Sequence, residues 1–187
     1  MTDILLDYAR KLVLLGGKLS AWLFLPMLTL VAIFDITTRR VLQLGSTPLQ
    51  ELEWHFFFAG VTFALGYAYL KDKHVRIDIL REHVSPRTRL WIERILLVTV
   101  MIPFALVIIW FGGRMTWLSY VQGEGSRAAL GLPYRWIVKA TLPIGAVLLF
   151  LACLCRLLRP ADEARSSIDD ARPRPDRETS ASQGHRS

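Results

Sequence analysis

Residues 19–36 read LSAWLFLPMLTLVAIFDI, an apolar run whose only charged side chain, Asp35, comes at its far end. At a rise of about 1.5 Å per residue such a run covers most of the roughly 30 Å hydrocarbon core of a bilayer. It lacks the strict alternation of a barrel strand and is too long for one. Arg10, Lys11 and Lys18 precede it and Arg39 and Arg40 follow, with no small-residue cleavage site between. That pattern predicts a retained membrane helix rather than a cleaved signal.

Three further runs of the same kind lie downstream, in a chain of 187 residues that is 52% hydrophobic and has a mean hydropathy of +0.34. The fold class expected is therefore all-α integral membrane, a bundle of four transmembrane helices over about residues 19–38, 51–70, 90–111 and 136–158. Ahead of this 19–158 domain, residues 1–18 place Ile4, Leu5, Tyr8, Leu12 and Leu15 at helical spacing opposite Asp7, Arg10 and Lys11, an amphipathic interfacial arm. Behind it, residues 159–187 are Arg, Pro, Asp, Glu and Ser with hardly an apolar residue, a composition that predicts a disordered tail.

Basic residues resist translocation, so their distribution predicts orientation. Twelve flank the N-terminal segment, the loop after the second run and the start of the tail: Arg10, Lys11, Lys18, Lys71, Lys73, Arg76, Arg81, Arg87, Arg89, Arg156, Arg159 and Arg165. Only Arg39, Arg40, Arg114, Arg127 and Arg135 occupy the other two loops. Both termini are thus expected on the cytoplasmic side. The net charge of +7 sits beside membrane runs rather than on one face, which points to anionic membrane lipid and away from nucleic acid.

Pro26, Pro103 and Pro143 fall inside the apolar runs and predict kinks. Gly60, Ala64 and Ala68 recur every four residues in the second run, a stripe that admits a close neighbouring helix. In the central loop Val75, Ile79, Leu80 and Val84 form another amphipathic segment, and Ser85-Pro86 then supplies an N-cap and first helical position for the third helix. Cys153 and Cys155, two apart on one helix, suit neither a disulfide nor a metal site.

Ionisable groups near hydrocarbon are costly and seek partners. Asp35, Arg39 and Arg40 close the first run, Glu51, Glu53 and His55 open the second, Arg114 closes the third, and Arg135 and Lys139 open the fourth. All lie toward the outer face. At about 100° per residue Glu53 shares a helix side with Gly60 and Ala64, and Glu51 and His55 face nearly the other way; Glu53 is accordingly expected to pair with Arg39 or Arg40. No carboxylate lies at mid-depth, which argues against a self-sufficient proton carrier. His55 and His74 stand at opposite ends of one helix, so no histidine pair clamps a haem. Nucleophile elbows, phosphate loops and HExxH are absent, so no catalytic residue, cofactor or metal is expected. Gly123 to Ser126 read as an ordinary loop.

Three motifs carry a resemblance. Leu49-Gln50-Glu51-Leu52-Glu53-Trp54-His55, Lys71-Asp72-Lys73-His74-Val75-Arg76-Ile77-Asp78 and Gly131-Leu132-Pro133-Tyr134-Arg135-Trp136, with the Asp35 to Arg39 spacing and Ser85-Pro86-Arg87, resemble the small membrane subunit of tripartite ATP-independent periplasmic (TRAP) transporters over about residues 12–158. The resemblance implies a sodium-coupled carboxylate uptake system of the bacterial inner membrane. A periplasmic binding protein delivers the substrate, a large membrane subunit holds the substrate and sodium sites, and the small subunit is a scaffold. Arg39, Glu51, Glu53, Trp54, His74, Arg76 and Asp78 match the family's recurring positions and become structural or interface residues under it, and Asp35, Arg40 and Arg135, from the helix ends, are counted with them. By location and charge, with Arg114, Arg127 and Arg135 near it, the loop from Tyr120 to Tyr134 is expected to help dock the binding protein. The competing class is a membrane anchor or assembly subunit of another complex, such as a respiratory enzyme.

Overall fold

The computed structural model describes residues 2–41, 43, 45–71, 86–128 and 130–158. Among these every regular element is helical: α1 (Thr2–Leu19), α2 (Leu25–Val41), α3 (Thr47–Leu70), α4 (Pro86–Leu96), α5 (Ile102–Val121) and α6 (Trp136–Leu157). The amphipathic segment at 75–84 and the tail beyond 158 lie outside the described residues, whereas α4 does begin at Pro86, the expected first-turn position.

Two five-residue π-helical turns, Ser20–Phe24 and Leu97–Met101, fuse α1 to α2 and α4 to α5. Each closes with a wide i→i+5 bond: the Leu25 N–H donates to the Ser20 carbonyl, and the Ile102 N–H to the Leu97 carbonyl. Both donors directly precede a proline, Pro26 or Pro103. A proline ring crowds the carbonyl four residues back and offers no N–H; widening the turn just before it relieves the crowding without breaking the helix. The kinks expected at these two prolines take this form, while α6 runs unbroken through Pro143.

Three helical stretches are long and apolar enough to cross a membrane: Ile4–Val41, Trp91–Val121 and Trp136–Leu157. α3, with 24 residues, also has the length, about 36 Å at 1.5 Å per residue. It is less apolar because Glu51, Glu53 and His55 sit in its first turns.

Among the described residues the bundle takes the form of an open row. α2 packs on α3, α3 on α6 and α6 on α5, and no substantial contact joins α2 to α5 at the two ends. The reason lies in where the small residues fall. A Cβ added to Gly66 of α3 would stand 2.7 Å from the Leu148 carbonyl oxygen, and one on Gly145 of α6 would stand 2.5 Å from that of Thr62. Both obstacles are backbone atoms and cannot swing aside, so α3 and α6 form the tightest seam. Gly66 lies about 120° around α3 from Gly60, so the Gly60-Ala64-Ala68 stripe is not this seam. Gly60 serves α1–α2 instead, its carbonyl accepting the Ser20 hydroxyl at 2.7 Å.

One face of the amphipathic N-terminal segment packs on the other helices. Val13 is fully buried, with Leu6, Ala9 and Leu14 packed around a cluster of Val13, Leu70, Ala152 and Cys155. Gly16 lies against Leu148 and the Phe63 carbonyl. α1 thus nests over the α3–α6 seam, and beyond the π-turn α2 leans onto α3 alone. The stripe Ile4, Leu5, Tyr8, Leu12 and Leu15 stays exposed, as an interfacial helix requires.

Candidate functional site

Charged side chains gather toward the two ends of the helices and leave their middle stretches without any. No Asp, Glu, Lys or Arg occurs at 19–34, 54–70, 95–113 or 140–155.

At one end Glu51, in the second turn of α3, holds the α5–α6 loop. Its Oε1 accepts the Ser126 hydroxyl and its Oε2 accepts the Leu132 N–H at 2.7 Å. The loop folds on itself there, the Ser126 N–H donating to the Leu132 carbonyl at 3.0 Å and the Ala128 N–H to the Ser126 hydroxyl at 3.2 Å. Gly131 is forced: a Cβ would run into Ser126 and stand 2.9 Å from Glu51 Oε1. A second carboxylate, Glu124, pairs with Lys139 of α6, and its carbonyl accepts the Arg135 N–H at 3.1 Å. The Lys139 ammonium, followed by the Ser119 hydroxyl and the nearby Arg135 charge, holds the Glu124 carboxyl below its usual range. Gly123 to Ser126 are the loop expected, and its last residue and Glu124 are tied down by these contacts. His55 donates from Nδ1 to the Glu51 carbonyl one turn back.

At the same end Arg39 of α2 pairs with buried Asp35 at 2.6 Å, one helical turn away. The Gln50 side-chain oxygen, in the orientation that satisfies its neighbours, accepts from Arg39 Nη1 at 2.9 Å. Arg39 so bridges α2 to the start of α3, but through Gln50 and not through the Glu53 expected. Glu53 instead lines a groove of about 260 Å³ between α2 and α3, with Leu28, Trp54 and Phe57. Trp54 is exposed and stands edge-on to Phe57 at 6.2 Å. Arg40 is exposed and Arg135 half-buried. Tyr120 stacks edge-to-face on Trp136 at 5.4 Å and lies 6.0 Å from Trp117.

Arg156 dominates the opposite end. Its Nε donates to Glu93 of α4, Nη1 donates to the Tyr69 carbonyl of α3 at 3.3 Å, and the guanidinium lies 5.4 Å from the Tyr69 ring centre. One side chain on α6 therefore joins three helices. The expected site residues His74, Arg76 and Asp78 lie outside the described residues.

Asp35, Arg39 and Glu51 are thus brought into contacts that hold helices or loop in place. Gln50, Glu93, Ser126 and Arg156 were not expected in that role. The signal for Arg156 and Glu93 was masked, since basic and acidic residues at helix ends also serve orientation. Nothing local in the sequence marks Ser126 as a partner for a residue 75 positions away.

Residues 28–163 match the family described as tripartite ATP-independent periplasmic transporters, DctQ component. No curated protein is similar enough to count as a match.

Proposed function

The chain belongs to the DctQ family of TRAP transporter components, and from that premise we propose that it is the fixed scaffold of a sodium-coupled importer of carboxylates. Three long apolar helices and the family membership make it a membrane protein. α3 is read as the fourth span, packed at the centre of the row and shielded on both flanks. Both termini and the Arg156 end are then cytoplasmic, by the excess of basic residues there, and the Glu51 end faces the periplasm of a bacterial inner membrane.

The observation that carries the scaffold reading is the pattern of constraint. The α3–α6 seam is closed by backbone contact at Gly66 and Gly145, and clasps lock it at both ends through Glu51 and Arg156. A carrier that changes shape needs an element with two arrangements, and a glycine seam clasped at each end favours one. With no ionisable residue at mid-depth in its own helices, the chain leaves substrate and ion binding to a larger partner. The periplasmic loop, bearing Arg127 and Arg135, is read as a landing surface for the binding protein.

Reconstitution tests this. Proteoliposomes holding the chain with its large subunit should take up substrate only with binding protein outside and an inward sodium gradient. Full uptake by the large subunit without this chain would sink the scaffold role.

A further inference from the structure

The two ends of the row are apolar in different ways. α5 offers Phe104, Leu106, Val107, Trp110 and Phe111, all exposed, and 102–113 contains no ionisable residue. Such a face suits lipid tails. At the other end the α2–α3 edge is interrupted by the groove of Leu28, Glu53, Trp54 and Phe57. Glu53 is half-buried in it, about two turns from the start of α3. Of the two cations expected to meet it, neither does: Arg39 is taken by Asp35 and Gln50, and exposed Arg40 forms no ion pair with it. An ionised carboxylate at the edge of hydrocarbon is expensive unless a cation meets it.

The geometry points to the α2–α3 edge as the surface that receives the large membrane subunit, with Glu53 accepting an arginine or lysine from one of its helices while the α5 edge faces lipid. This rests on the scaffold reading above and adds to it which side of the row is covered and by what charge. The groove suits an inserted cationic side chain. Leu28 and Phe57 cover its aliphatic stem, Trp54 offers a ring face, and Glu53 takes the head.

The test is site-directed photo-crosslinking in membranes that hold the assembled complex, with p-benzoylphenylalanine replacing Trp54 or, separately, Trp110. Position 54 should yield an adduct with the large subunit and position 110 only lipid adducts. Glu53→Lys should cut the large subunit recovered with the tagged chain at least tenfold, Glu53→Gln should cut it less, and a large-subunit change from a basic to an acidic residue should restore recovery with Glu53→Lys. Protein adducts from position 110 and lipid adducts from 54 would overturn the assignment while leaving the scaffold reading intact. Undiminished recovery with Glu53→Lys would overturn the ion pair. If the unmodified chain recovers no large subunit at all, the scaffold reading falls and the assignment falls with it.

Discussion

The two ends of this molecule are closed by opposite means. At the Glu51 end the work is spread over two carboxylates, Glu51 and Glu124, which tie down one loop through a hydroxyl, a backbone N–H and an ammonium. At the Arg156 end one guanidinium gathers several contacts at once, meeting a carboxylate, a carbonyl and an aromatic ring on two other helices. A loop has its own backbone groups to satisfy, so acceptors brought to it are absorbed one by one. Where helices meet side by side, the planar, five-donor fork of arginine can reach several of them at once. Damage should therefore be graded at the first end and abrupt at the second.

The largest effect is expected from Arg156→Ala. It removes the Arg156 cation from the Glu93 carboxylate, 26% exposed, together with two further contacts, a loss of about 2–3 kcal/mol that a thermal melt in detergent should show as a drop in midpoint. Arg156→Lys should recover only part, because an ammonium cannot form the same fork. A smaller global change should follow Glu51→Ala. The loop would come loose while the helices stay packed, so trypsin should cut after exposed Arg127 several-fold faster with the melting midpoint little moved. A midpoint falling as far as in Arg156→Ala would abolish the contrast between the ends. Gly131→Ala should mimic Glu51→Ala in the same digestion, by pushing Ser126 away from the carboxylate.

Lys139→Ala should loosen only the junction of loop and α6, with a slight rise in cleavage. Acidification sharpens the same point. The Glu124 carboxyl is held below its ordinary value of 4.5, so the folded loop binds its proton less readily than an unfolded chain does. The contribution of the pair is complete above that value and is lost as pH falls below it, through the lowered folded value. Hydrogen exchange at the Glu124 and Arg135 amides, corrected for the intrinsic rate, should accelerate there in the native chain and not in Glu124→Gln.

Much of this was legible in the apolar runs and in helical phase. The reading that Glu51 and Glu53 point to different sides of α3 holds, one meeting the α5–α6 loop and the other the α2–α3 groove. Phase says which way a side chain points but not what stands there, so of the two partners expected for Glu53, Arg39 went to Asp35 and Gln50 and Arg40 stays exposed. Likewise the Gly60 stripe was visible, but Gly66 and Gly145 make the tighter seam, because a seam depends on where two helices cross. The order of helices in the row depends on such crossings between distant segments, which periodicity within one segment does not encode. The proline-linked π-turns were foreshadowed only as kinks, since a proline announces crowding and not how the backbone resolves it.

The open row has a consequence for permeation. Among the described residues the helices join side by side and enclose no lumen, so they offer a solute no passage of their own. Under the scaffold reading, the passage across the bilayer is built by another polypeptide.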